Sequence, residues 1–253
     1  DADGIIAAAA AGKLGALVVA GVDPGDLANP AAAADALDRV PFLVSLELKA
    51  SAVTRRADVV FPVAPTVEKA GTFLDWEGRP RQFETVLHTT AMNDGRVLDA
   101  LAREFGVELG CTDPALVRRE MGLLPPTRAS RPTLPSVSPG TPASLGRGEA
   151  VLATWHQLLD LGTLTEGDEY LAGTARTPVV RLSKATASAL GVAEGDPVTV
   201  GTDRGALTLP AALTPDLADT VVWLPTNSPG STVRRTLGGS GAIVRISSPG
   251  GTS

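Results

Sequence analysis

The sequence predicts an α/β half built on a parallel sheet, followed by a smaller half of short strands that closes into a barrel. Three observations predict this. Apolar runs at 16–20, 42–46 and 58–63 alternate with helical segments, the spacing of parallel strands joined by right-handed crossovers. Between 125 and 142, prolines stand among Ser and Thr, a composition that favours extended linker backbone. From Thr177 onward the runs become short strands around one small helix, and closing such strands into a barrel removes exposed edges.

The elements follow in order. Residues 3–11 read as a helix with Gly12 as its C-terminal cap, and 16–20 as a buried strand. The whole run 4–22 is apolar enough to suggest a membrane span. Lys13 at its centre argues against one, since a lysine there costs about 2.5–3.5 kcal/mol on insertion. Gly21 to Asp26 is a strand-to-helix loop, either a plain turn or a phosphate approach, without a G-x-G-x-x-G or P-loop pattern. Asn29 caps a helix with Pro30 at its first position, running to Arg39. Phe42–Leu46 is the next strand, and Ser51 or Thr54 opens a short helix through Arg56. Residues 83–87 alternate as a short strand. Asp94 caps a helix ending at Phe105, and Asp113-Pro114 starts another that ends at Gly122. After the Pro-rich stretch, Val151, Leu152, Trp155, Leu158 and Leu159 form the buried stripe of a helix over 149–161, stopped by Gly162. Strands follow at 179–182, 198–201, 206–212, 221–224 and 242–246, with a helix over 184–190 between Ser183 and Gly191. The second and third of these strands pair across the turn 202–205.

Composition narrows the function. Apolar residues make up 43% of 253, enough for a substantial core, and aromatics only 4%, so Ala, Val and Leu carry the packing. A net charge of −6 argues against a nucleic-acid face. With Cys111 as the single cysteine, no disulfide and no four-cysteine metal site can form within this sequence. His88 and His156 have no second histidine or carboxylate at ligand spacing and read as structural. The sequence starts at Asp1, and this is read as a piece of a longer protein.

Residues 57–83 stand out. Val59-Val60-Phe61 is a strand halted by Pro62 and Pro65, because proline offers no amide hydrogen to a ladder. A polar run containing Glu68, Gly71, Thr72, Asp75, Glu77, Gly78, Arg79 and Gln82 follows. A loop just past the carboxyl end of a sheet strand is where ligands sit in open α/β folds, although an ordinary surface loop has the same look. Asp75 and Glu77 read as solvated carboxylates or partners of Arg79 and Arg81 rather than as an acid–base pair. Gly71 is expected to need a positive φ.

Taken in order, Ala57-Asp58-Val59-Val60-Phe61-Pro62, Glu68, Gly71-Thr72, Glu77-Gly78-Arg79 and Gln82 resemble a segment shared by two groups. These are the molybdopterin-dependent oxidoreductases and the large iron–sulfur subunit of bacterial NADH–quinone oxidoreductase, respiratory complex I. Asp75 stands where that pattern usually has Asn, and Pro80-Arg81 precede the Gln. A second set, Arg181-Leu182-Ser183, Ala185, Ala189-Leu190-Gly191-Val192, Glu194-Gly195-Asp196, Val198 and Gly205, is similar to the C-terminal dinucleotide-binding domain of the same superfamily. Together they imply a parallel Rossmann-like sheet in 1–124, a Pro-rich linker over 125–148, and a helix plus double-psi β-barrel in 149–253.

Ala70-Gly71-Thr72-Phe73 followed by Glu77-Gly78-Arg79 resembles the complex I branch. That resemblance implies a scaffold part of a peripheral-arm subunit, on the cytoplasmic side of the bacterial plasma membrane, supporting electron transfer from NADH to quinone in a proton-translocating enzyme. It implies other subunits of the arm as partners, with no nucleic acid and no membrane insertion. The 4Fe-4S and 2Fe-2S clusters would lie in an N-terminal region outside this sequence. No catalytic residue, metal or cofactor is expected here. Glu68, Gly71, Thr72, Arg79, Gln82 and Asn227 are the positions it implies as remnants of a pterin site; Ser228 and Gly230 share the strand end with Asn227. Two alternatives stay open. One is a molybdopterin-dependent oxidoreductase of the formate dehydrogenase or nitrate reductase type, carrying molybdopterin. The other is a non-enzymatic β-barrel adaptor.

Overall fold

The computed structural model describes residues 1–125, 144–163 and 165–248. Most of the expected linker over 125–148 therefore lies outside the described residues. The chain divides into two compact units, one holding residues 1–24 and the first half from 33 onward, the other holding 25–32 and the second half.

In the first unit, α1 (Ala2–Ala10) is capped by the Asp1 carboxylate, which accepts the Gly4 amide at 2.7 Å. Gly12, at φ +67°, turns the chain out of it. Then come β1 (Leu17–Ala20), α2 (Pro30–Arg39), of which residues 33–39 belong to this unit, and β2 (Leu43–Glu47); the Asn29 side chain accepts the Ala32 amide at the start of α2. The apolar run 4–22 is thus divided between a helix and a strand. Among the described residues no helix is long and apolar enough to cross a membrane. β3 (Val59–Pro62) completes a three-stranded sheet in the order β1-β2-β3, every pair parallel. β2 is central, and Leu43 to Leu46 are all buried, as a strand covered on both faces requires. Leu43 clusters with Leu37 and Val53, and Val44 and Leu46 with Val63 and Val97.

Several local expectations change. Residues 52–56 form turns rather than a helix, with the Ser51 hydroxyl accepting the Val53 and Thr54 amides. The polar run after β3 is a hairpin, β4 (Gly71–Leu74) against β5 (Pro80–Phe83), and the strand expected over 83–87 instead ends at Phe83. In α3 (Asp94–Glu104) the cap is Asn93, not Asp94: its Oδ1 accepts the Arg96 amide at 2.9 Å. Asp113 caps α4 (Pro114–Leu123).

The second unit opens with the largest correction. Residues 149–155 are a strand, β6 (Glu149–Trp155), not the start of a helix. Five apolar positions at mixed spacing fit a helix stripe or a buried strand equally, and pairing decides between them. β6 runs parallel to β10 (Val221–Pro225) on one side and antiparallel to β13 (Ile243–Ser247) on the other, so its backbone is satisfied by two neighbours. After α5 (Glu169–Ala172) come β7 (Val180–Leu182), α6 (Lys184–Leu190), β8 (Pro197–Gly201) and β9 (Ala206–Leu213). The barrel closes in the order β10-β6-β13-β8-β9-β7, the last pair being the antiparallel contact of Trp223 with Arg181. Residues of alternating burial line it: Leu152, Val180, Leu182, Val198, Val200, Val222, Leu224 and Val244 point inward. A short hairpin, β11 (Asn227–Ser228) with β12 (Ser231–Thr232), and the single turn α7 (Val233–Thr236) complete the unit.

Candidate functional site

Two places hold the residues singled out by sequence, one in each unit. In the first unit, Asp58 of the Ala57–Pro62 segment is structural. Its Oδ2 accepts the Leu43 amide at 2.7 Å and pins the start of β2 beside β3. The hairpin beyond sets Thr72 opposite Gln82 and Gly71 opposite Phe83. Asp75 organises its turn, its Oδ1 accepting the Glu77 amide at 3.0 Å and the Arg79 amide at 2.8 Å, with Gly78 at φ +78°. Glu77 pairs with Arg79 at 2.7 Å. Asp75 and Glu77 are therefore consumed by the turn and its ion pair. Phe73 stacks on Phe83 with ring centroids 4.8 Å apart, and Trp76 at the tip is 94% exposed.

Gly71 departs from expectation. It lies in the extended strand β4 and is not among the positive-φ glycines. What requires glycine is space, because a Cβ there would meet the Phe83 ring at 2.6 Å. Glu68 ends a short 3-10 turn (Thr66–Glu68) ahead of the hairpin. Of the six expected positions, the fold thus brings Gly71, Thr72, Arg79 and Gln82 into one hairpin, while Asn227 belongs to the other unit.

In the second unit, Asn227 is a structural clasp. Its Nδ2 donates to the Leu161 carbonyl at 3.3 Å, and its own carbonyl accepts the Leu161 amide at 2.9 Å. It ties down the segment that leaves β6. A cavity of about 390 Å³ lies at that strand end, between residues 155–159 and the approach to β7. The Trp155 carbonyl accepts both the Thr226 amide (2.9 Å) and the Thr226 hydroxyl (3.0 Å), which fixes the rim. Trp155 packs on Trp223 with centroids 6.1 Å apart, and the Arg181 guanidinium lies 5.3 Å from the Trp155 ring centre. Arg181 also donates to Thr214 Oγ1 at 3.4 Å. Among the described residues, two buried oxygens in this unit, Gln157 Oε1 and Ser228 Oγ, have no hydrogen-bond partner. Sequence reasoning misses Gln157 and Arg176 in the cavity wall, because the pattern reads as a helix stripe at the first and as a loop at the second.

These features allow a test of fit for a pterin dinucleotide. A cavity lined by Arg176 and Arg181 and, among the described residues, by no carboxylate suits a phosphate, and the Gln157 oxygen suits a ring or sugar donor. The nucleotide portion of such a group fits. For its metal, among the described residues no three His, Cys, Asp or Glu side chains are grouped to hold an ion, and Cys111 donates its thiol hydrogen to the Gly95 carbonyl at 3.1 Å.

Residues 151–252 match the family model of the molydopterin dinucleotide binding domain. Acetylene hydratase from Pelobacter acetylenicus shares the fold: 97% of this chain and 46% of that one superpose with a TM-score of 0.57 at 14% identity. The G subunit of NADH-quinone oxidoreductase from Mycobacterium tuberculosis is 52% identical over 97% of this chain, and its counterpart from Streptomyces coelicolor is 46% identical over the same share. The chain covers 31% and 30% of those two relatives. With about half its residues shared along nearly its whole length, this chain belongs to the family of NADH-quinone oxidoreductase G subunits, of whose members it spans about a third.

Proposed function

We propose that the chain is a scaffold portion of a peripheral-arm subunit of NADH–quinone oxidoreductase, supporting electron transfer from NADH to quinone in a proton-translocating complex. The observation that carries this reading is the 52% identity to a G subunit along 97% of this chain, which runs through both units rather than the barrel alone. That breadth also argues against a barrel adaptor. The 4Fe-4S and 2Fe-2S clusters belong, on this reading, to an N-terminal region outside this sequence. The partners are other subunits of the arm, and the protein sits peripherally on the cytoplasmic side of the plasma membrane. The first unit is read as a Rossmann-like layer, 125–148 as a linker, and the barrel as the double-psi type.

The chemistry of the described residues supports a scaffold. Asp58, Asp75, Glu77 and Asn227 are engaged in holding backbone or in an ion pair. The second reading, a molybdopterin-dependent oxidoreductase, is favoured by one observation, the carboxylate-free cavity beside β6. There Arg176, Arg181 and Gln157 would hold the nucleotide end, and the pterin would supply redox chemistry at a metal ligated from elsewhere. Elemental analysis of the intact subunit separates the two. Iron without molybdenum is expected, and stoichiometric molybdenum overturns the first reading.

A further inference from the structure

The first unit leaves one side of its parallel sheet open. β1 pairs with β2, and among the described residues no strand lies on its other side. The Leu17 amide donates to the Phe42 carbonyl and the Gly21 amide to the Leu46 carbonyl. Strand alternation then aims the amides of Val18 and Ala20 away from β2. Val18 is 48% exposed, and Ala20 is exposed as well. Parallel sheets are covered on both faces, and an apolar edge strand without a charge or proline is a template for another strand.

Helix α1 shows on which side that strand enters. Its Ala9 clusters with Ala36 of α2, and Leu17 of β1 packs against this cluster. Leu17 also packs with Leu37 of α2 and Leu43 of β2. α1 and α2 therefore lie on the same face of the sheet. α2 is the crossover from β1 to β2, and a right-handed crossover on a given face advances the strands in one direction only. By the same rule, a strand that leads into α1 falls on the far side of β1, where the edge is open. A source for it exists in the family: the chain matches a C-terminal part of the G subunit and covers 31% of the Mycobacterium tuberculosis relative.

We propose that the open edge of β1 takes up a further parallel strand, supplied by the portion of the G subunit that precedes α1 in sequence. The new strand hydrogen-bonds to the outward amides of Val18 and Ala20 and covers the exposed side chain of Val18. This inference rests on membership of the G-subunit family and not on the electron-transfer reading.

Residue-resolved amide hydrogen exchange tests it, on the 253-residue chain alone and on the intact subunit. In the chain alone, the Val18 and Ala20 amides are expected to exchange faster than those of Leu17 and Val19, which face β2. In the intact subunit this alternation is expected to vanish, with Val18 and Ala20 slowed by about tenfold or more. Val18→Pro deletes an outward amide and leaves the bonds to β2 in place. It is expected to leave the unfolding midpoint of the isolated chain near that of the parent and to remove the slowing at Ala20 in the intact subunit. Equal exchange of Val18 and Ala20 in chain and subunit overturns the proposal. So does slowing spread evenly over residues 17–20, the mark of a covering helix or loop rather than a paired strand. Protection of both amides in the chain alone that rises with its concentration also overturns it, because a second copy then occupies the edge.

Discussion

The Ser183 hydroxyl donates to Asp219 Oδ1 at 2.5 Å while accepting the Thr186 amide at 3.0 Å. One hydroxyl therefore caps α6 and joins the end of β7 to the turn before β10. Thr186 extends the contact, its Oγ1 accepting the Thr220 amide at 3.1 Å. Ser183 and Thr186 are both buried, so each of these bonds replaces one to water.

Ser183→Ala removes the cap and leaves Asp219 without its donor. A loss of about 1–2 kcal/mol is expected. Urea unfolding checks it: the midpoint should fall with the slope unchanged, and Ser183→Thr should recover most of the difference.

Gly191 closes the same helix in the left-handed region, at φ +67°, and a Cβ there would touch nothing within 4 Å. The penalty for Gly191→Ala is thus one of backbone conformation, about 1 kcal/mol. Gly191→Asn, which tolerates that region better, is expected to lose less in the same unfolding assay.

Gly71→Val tests a steric claim in the first unit. The added side chain meets the Phe83 ring, and an overpacked contact of this kind costs about 1–3 kcal/mol. In a double-mutant cycle, Phe83→Ala should relieve most of the Gly71→Val penalty. Additive losses would mean that the ring is not the obstacle.

Leu152→Ala and Leu158→Ala separate the two readings of the stretch after residue 149. Leu152 is 1% exposed in the barrel core and Leu158 is fully exposed. The first change should cost about 2–5 kcal/mol and the second should stay within about 0.5 kcal/mol. A buried helix stripe would make the two comparable, and thermal melts of both variants decide it.

Much of this architecture is legible from residue order. Helix ends are local events, so Asn29-Pro30, Asp113-Pro114, Ser183 and Gly191 announce their caps without tertiary help. Strands of the barrel with clean alternation are legible too, since Pro197–Gly201 and Ala206–Leu213 pair across a short turn. Residues 149–155 are not, because a mixed apolar spacing has two solutions and the choice rests on strands about 70 and 90 residues away. The hairpin at 71–83 reads as a loop because its strands are four residues each and largely exposed, which hides alternation. The cavity cannot be read at all, since its walls come from two separated segments.

By itself the sequence determined the succession of a parallel-sheet half and a short-strand half, the caps of α2, α4 and α6 and the family pattern that runs through both. Those features depend on neighbours within a few residues or on a recurring order of types. Tertiary structure decided that residue 149 begins a strand, that Gly71 answers to a phenylalanine ring, and that Arg176, Arg181 and Gln157 face one space. Each of those outcomes is a contact between groups distant along the chain, and pairwise distance in space is the quantity that a linear order of residues does not carry.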